Sequence, residues 1–343
     1  MPQLLLVFLC IQVTGITIAR YLAKPWLIEG LQGDKGKSPC EELTDLNSYQ
    51  RGLCNQQRET RSKLITAASM AHQQCRTEFQ YNPWNCSVNN VLSLNASISV
   101  TKETSYVTAI GSAAIVHQIA QACADGNIRS CGCGVNNEYS SACDDNIRYG
   151  ILFARQYLDS PQNTHSPPGI SVHRTKEELI RSAVNIHNNN AGRQMVDMTA
   201  RTKCTCYGMS GSCTTYICYK QVAPFQEIGR QLYKRYKEAV KVRSVFSPTK
   251  STKLAFIDES PDFCTRNRTL GISGTEGRPC LPQPDNTTIP THLSETCSSL
   301  CCGRGYTAQR IEETIPCKCQ FQWCCEVVCQ NCTNVYYTYN CNS

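Results

Sequence analysis

Four cysteines stand within fifteen residues at Cys204, Cys206, Cys213 and Cys218, and the inner two enclose Tyr207-Gly208-Met209-Ser210-Gly211-Ser212. Two nested disulfides would hold this small-residue tip out as a narrow hairpin. Gly208 and Gly211 leave the backbone bare around the Ser210 hydroxyl, so a modifying enzyme could reach it. The rival chemistry is nucleophilic. An esterase elbow needs G-x-S-x-G, and here Gly208-Met209-Ser210-Gly211-Ser212 brings the second glycine one place early. No strand–helix alternation of the α/β-hydrolase kind surrounds it. A stapled turn carrying an idle serine is the bland alternative, and Ser212 is the lesser acceptor.

The chain has 343 residues and 25 cysteines. Its start, MPQLLLVFLCIQVTGITIA, has a short apolar run from Leu4 to Val13 and small residues at Thr17 and Ala19, which reads as a secretory signal over residues 1–19. No later apolar stretch is long enough for a membrane span, so none is expected. Removing Cys10 with the signal leaves 24 cysteines, an even number in an oxidising compartment. CxC, CxxC and CC pairs also occur in metal proteins, but the six histidines keep no ligand spacing to them. No metal, no cofactor and no nucleic-acid partner is expected. Sequons at Asn85, Asn95, Asn267, Asn286 and Asn331 fit a glycosylated, extracellular surface.

Positioning these groups requires a scaffold, and 41% apolar composition supplies a core for one. Near-helical spacing marks residues 61–79 and 102–122, the second rich in Ala and Gly and expected to be central and buried. Asp144 is a good N-cap for a helix carrying Ile147, Ile151, Ala154 and Leu158. A Pro/Ser/Gly loop follows over residues 160–171. Thr175 and Glu178 form a capping box, and Pro224 opens a further helix. Between Arg230 and Lys253 eight Lys/Arg face one acid, Glu238. That patch is either a docking face for sulfated glycans or anionic head groups, or a solvated helix face. Residues from Ser247 read as a linker with at most one strand, and twelve cysteines crowd residues 264–341. So small and loop-rich a segment must draw much of its stability from disulfides, at ~2–4 kcal/mol each. The expected fold is α+β: a helical N-terminal domain (residues 20–250) with a disulfide-stapled β-hairpin at 204–218, then a small cystine-rich β domain (residues 251–343).

With these residues in place the chain resembles the Wnt family of secreted, lipid-modified signalling glycoproteins over almost its whole mature length. The family's finger signature, Cys-Lys/Arg-Cys-His-Gly-x-Ser-Gly-x-Cys, is similar to Cys204-Thr205-Cys206-Tyr207-Gly208-Met209-Ser210-Gly211-Ser212-Cys213. Family-like blocks recur in order: WNCS at 84, KETSYVTAIGSAA at 102, CGC at 131, DNIRYGILFA at 145 and IHNNNAGR at 186. SPDFC at 260, LCCGRGY at 300 and CKCQFQWCCEVVCQNCT at 317 follow. The chain is a divergent member on this reading: Tyr207 replaces a histidine, Thr205 a basic residue and Tyr219 a tryptophan. Glu138-Tyr-Ser-Ser-Ala142 stands where a Trp/Gly-rich run is usual.

The resemblance, and not the spacing, implies a pairing of the cysteines. Cys40 joins Cys54, Cys75 joins Cys86, Cys123 joins Cys131 and Cys133 joins Cys143. Cys204 joins Cys218 around Cys206 with Cys213. Cys264 joins Cys302, Cys280 joins Cys297 and Cys301 joins Cys341. Cys317 joins Cys332, Cys319 joins Cys329, and Cys324 bonds its neighbour Cys325. The resemblance also implies that an O-acyltransferase esterifies Ser210 with a mono-unsaturated fatty acyl group, and that the protein is a ligand and not an enzyme. It would bind the cysteine-rich domain of a Frizzled-type receptor through Ser210 and Met209 on one side. On the other it would use an apolar tip of Trp323, Cys324, Cys325 and Val327; burial of Trp323 in the β domain is the alternative. A lipoprotein-receptor-related co-receptor, a membrane carrier protein and heparan sulfate are the further partners implied, with Wnt signalling in development as the outcome. The runner-up is a secreted hydrolase using Ser210. A structural matrix protein would show repeats, and none is seen.

Overall fold

The computed structural model describes residues 50, 52, 58–86, 99–134, 142–159, 175–242, 253–268, 270–282, 296–323 and 325–343. The signal segment, Cys40, Cys54, the sequons Asn95 and Asn286, the 160–171 loop and Cys324 lie outside them. The fold is α+β, and the chain divides into two compact units, residues 1–75 with 88–260 and residues 76–87 with 261–343.

The first unit is built around one helix. Helix α1 spans Arg58–Glu78, α2 Lys102–Ala124, α3 Ile147–Asp159 and α4 Lys176–Thr199. α2 starts where Thr101 accepts from the Thr104 N–H and Thr104 reciprocates to the Thr101 backbone. It is buried nearly all round, with Tyr106, Ile110, Ala113, Ile115, Val116 and Ile119 inaccessible. Contrary to expectation, this 23-residue helix is long and apolar enough to cross a bilayer, but its burial accounts for that composition. Its neighbours come close by means of their own glycines. A Cβ on Gly192 of α4 would lie 2.0 Å from the Ala109 carbonyl oxygen, and one on Gly150 of α3 would lie 2.7 Å from that of Val116.

Buried polar side chains fix the helices to one another and to a short strand pair. Arg193 of α4 donates to both carboxylate oxygens of Asp159 on α3, at 3.1 and 2.8 Å, with Asn189 adding a third bond at 3.0 Å. Strands β1 (Arg201–Cys206) and β2 (Tyr216–Gln221) form an antiparallel hairpin, and α5 (Phe225–Lys237) follows Pro224. Strands β3 (Val240–Lys241) and β4 (Ala255–Phe256) then pair in parallel. The segment expected as a linker is thus built into the helical unit from residue 253. Asn188 clamps the backbone of Ala255, donating to its carbonyl and accepting from its N–H, both at 2.9 Å. The His187 Nε2–H donates to Lys253 O, and Arg181 grips Asp258. Leu254 and Ala255 are buried there, so the break between units falls after residue 260.

Half-cystines dominate one buried cluster of the second unit. Cys280, Cys297, Leu300, Cys301 and Cys341 form that cluster, with Tyr339 against it. Strand β5 is Pro279–Cys280, α6 Cys297–Leu300, β6 Tyr306–Gln322 and β7 Glu326–Cys341; the sheet order is β5-β7-β6. β6 and β7 make a long antiparallel ribbon with a bulge between Cys317 and Gln320. Residues 76–87 supply an aromatic corner: Phe79 and Trp84 meet edge to face at 4.7 Å, with Phe263 6.3 Å from Trp84. Arg278 donates to the Pro83 and Gln80 carbonyls at 2.8 and 2.9 Å.

Candidate functional site

Register places Cys204 directly opposite Cys218, and the two are bonded with Cα atoms 4.0 Å apart. Cys206 is bonded to Cys213 inside them. Beyond the last strand pair the tip folds on its own backbone. Tyr207 N–H donates to Thr215 O at 2.7 Å, Gly208 N–H to Ser212 O at 2.8 Å and Gly211 N–H to Gly208 O at 2.9 Å. Ser210 occupies the apex with φ 57°, a left-handed conformation unusual for a residue with a side chain. Its side chain is exposed, Met209 beside it is 92% exposed, and Tyr207 also faces solvent.

The base of this hairpin is held by two carboxylates, of which Asp144 was expected to cap a helix. Asp144 does not cap α3; Asn146 does, accepting from the Tyr149 N–H at 3.0 Å. Asp144 instead accepts from the Lys220 N–H at 2.7 Å and Asp145 from the Val222 N–H at 2.8 Å, while Asp145 N–H donates to Lys220 O. Burial raises the Asp145 pKa, against the opposing pull of the Val222 N–H. The two carboxylates anchor the strand leaving the finger. A consecutive Asp-Asp ahead of a helix signals capping locally, and nothing in it reports a strand 76 residues away.

The second tip belongs to the β6–β7 ribbon. Cys317–Cys332 and Cys319–Cys329 bridge the ribbon below it. Gln322 pairs with Glu326, which sets Trp323 and Cys325 in the connection, with Cys325 at φ 76°. Trp323 is 93% exposed, and Phe321, Val327 and Val328 add exposed apolar surface around it. One expectation is corrected here. Cys325 is a free, exposed cysteine and not half of a vicinal disulfide with Cys324. Left-handed backbone at Cys325 is a turn conformation, which reverses a chain without a covalent ring.

The remaining sites fall as follows. Cys123–Cys131, Cys133–Cys143, Cys264–Cys302, Cys280–Cys297 and Cys301–Cys341 are bonded, and Cys75 and Cys86 each sit in a disulfide. Cys280, Cys301 and Cys341 bring three sulfurs together, yet all three are spent in disulfides and offer no thiolate to an ion. Asn85 is half-buried and Asn267 sits in a tight turn where its Oδ1 accepts from Leu270 N–H. Asn331 lies within β7 opposite Pro316. In the basic patch Lys237 stacks over Tyr233 at 4.6 Å and Lys241 pairs with Glu259, while Arg230 and Lys234 are exposed.

Residues 42–342 match the model of the wnt family. The chain is 35% identical to protein Wnt-5 of Halocynthia roretzi over 88% of its own length and 86% of that protein's. It is 32% identical to protein Wnt-16 of Bos taurus, covering 92% and 91% respectively. Among solved structures it superposes with a TM-score of 0.59 and 34% identity on a chain of the human WLS complex with WNT8A, covering 82% of this chain and 94% of that one.

Proposed function

The chain belongs to the Wnt family, a family of signalling ligands, and on that premise we propose that it is a secreted ligand of a Frizzled-type receptor, acylated at Ser210. The observation that carries the reading is the placement of a seryl hydroxyl at an exposed, twice-stapled apex within the family's finger signature. An endoplasmic O-acyltransferase would esterify Ser210 with a mono-unsaturated fatty acid, and the acyl chain would enter an apolar groove on the receptor's cysteine-rich domain. At ~0.8 kcal/mol per buried methylene, a dozen methylenes contribute about 10 kcal/mol gross before the costs of association. One chain anchors only weakly to a bilayer, which keeps transfer between carrier, matrix and receptor open.

Trp323, Cys325 and Val327 would form the second contact, since a rigid, solvent-exposed indole is the kind of group that dominates interface energies. A membrane carrier of the WLS kind, a lipoprotein-receptor-related co-receptor and heparan sulfate at Arg230 and Lys234 are the further partners on this reading. The signal would then come from bringing two receptors together, with no chemical step on the ligand.

Mass spectrometry of protein secreted from cells that contain the acyltransferase tests it first. The peptide spanning Ser210 should carry a fatty acyl mass; an unmodified peptide overturns the lipid reading. Against the isolated cysteine-rich domain, Ser210→Ala should abolish measurable binding. Trp323→Ala should weaken it by ~2–4 kcal/mol, the range of an interface hot spot. Unchanged affinity for Trp323→Ala would remove the ribbon tip from the interface.

A further inference from the structure

Among the described residues the ribbon carries an unpaired edge whose residues complement a second copy of themselves. β6 is an outer strand of the order β5-β7-β6. Its hydrogen-bonding directions follow from the ribbon base. Asn342 N–H donates to Gly305 O, and Cys341 N–H turns the other way, to Arg278 O beside β5. Odd-numbered residues of β6 therefore bond β7, and Tyr306, Ala308, Arg310, Glu312 and Thr314 aim their N–H and C=O groups outward. Pro316, with no N–H to offer, falls on the same outward set and closes the free stretch.

This part of the ribbon is thin and wet. From Tyr306 to Thr314 every β6 residue except Ile311 is exposed, and so are Val335, Tyr336 and Tyr337 on the facing strand. A ribbon of two strands is marginal in water, and this stretch has no cross-link between Cys301–Cys341 at its base and Cys317–Cys332 above.

We propose that β6 pairs antiparallel with β6 of a second copy, making a four-stranded sheet about a two-fold axis at Ile311. In that register Arg310 faces Glu312 of the second copy and Glu312 faces its Arg310, while Ala308 faces Thr314 and the two Ile311 side chains meet on the axis. All the outward groups from Ala308 to Thr314 are then bonded. Arg310 and Glu312 already pair along one strand; across the axis the four charges alternate in sign. A slip by one residue on each strand would set Arg310 against Arg310, or Glu312 against Glu312. Like charges directly opposite are unfavourable, so charge selects this register from its neighbours. Charged edges usually discourage pairing; here their order makes the edge complementary to itself, as an isologous interface requires.

The test is the oligomeric state of the full secreted chain by sedimentation velocity across micromolar concentrations. It is done in a Ser210→Ala background, so that no acyl chain can drive association. The parent should dimerise reversibly. Arg310→Glu should raise the dimer dissociation constant by about tenfold or more, because two like-charge contacts replace two attractive ones. Glu312→Arg should do the same. The double variant Arg310→Glu/Glu312→Arg should restore the dimer, and so should mixing the two single variants. Unchanged secretion and disulfide content in each variant exclude misfolding as the cause. A monomeric parent overturns the proposal. So does a dimer indifferent to the single substitutions, or one that the double variant fails to restore.

Discussion

At the apex of the finger the missing side chain of Gly208 decides the geometry. A Cβ there would sit 2.3 Å from the Ser212 carbonyl oxygen, a backbone atom, and 2.1 Å from Ser212 Oγ, so only glycine lets the tip fold back across itself. At the opposite extreme of burial stands His117. Its Nε2–H donates to Ala223 O at 3.1 Å, leaving Nδ1 buried with no partner among the described residues. Burial lowers its pKa to about 4, with the Ala223 bond opposing more weakly. The unfolded chain binds a proton near pH ~6.5 and the folded one does not until about pH 4. Stability from this group is therefore whole above pH ~6.5 and falls by ~1.4 kcal/mol per pH unit on acidification towards 4. His117→Gln keeps a donor for Ala223 and removes the titration. Denaturant midpoints at pH 7, 5 and 4 should show the parent losing more stability than the variant; parallel curves would sink the assignment.

Between elements, the decisive contacts are those that α2 receives. Its own Ala-rich surface admits close neighbours, but the closest approaches are made by Gly192 and Gly150 on the helices packed against it. Gly192→Ala drives a methyl into the Ala109 carbonyl oxygen, a backbone atom that cannot rotate away. The expected cost is ~1–3 kcal/mol or more, the range for overpacked cores. Gly132→Ala, where an added Cβ meets nothing within 4 Å, should cost less than Gly192→Ala. Thermal unfolding of the secreted variants measures both; equal losses would show that the α2–α4 approach does not limit packing.

On the scale of the whole chain the two units draw on different sources of stability. The first buries a conventional apolar core around α2, whereas four of the five buried residues in the second unit's cluster are half-cystines. Mild reduction should therefore unravel the second unit first. In hydrogen exchange, amides of β6 and β7 should lose protection under reductant while those of α2 keep it. Simultaneous loss in both would mean that the units do not unfold separately.

Much of this was legible in the chain itself. Helical periodicity found α1 to α5, the Thr175–Glu178 box marked the start of α4, and cysteine spacing with Gly-Met-Ser-Gly marked the finger. Those signals are local: capping, period and cross-link density act over a few residues, so they survive in the sequence. Tertiary structure alone decided which partner each polar group took. Asp144 left its helix for Lys220, Asn188 reached the strand at Ala255, and Cys325 kept its thiol. Each choice depends on which groups lie unsatisfied nearby once the chain has folded, and neighbours far apart in sequence leave no mark on local spacing.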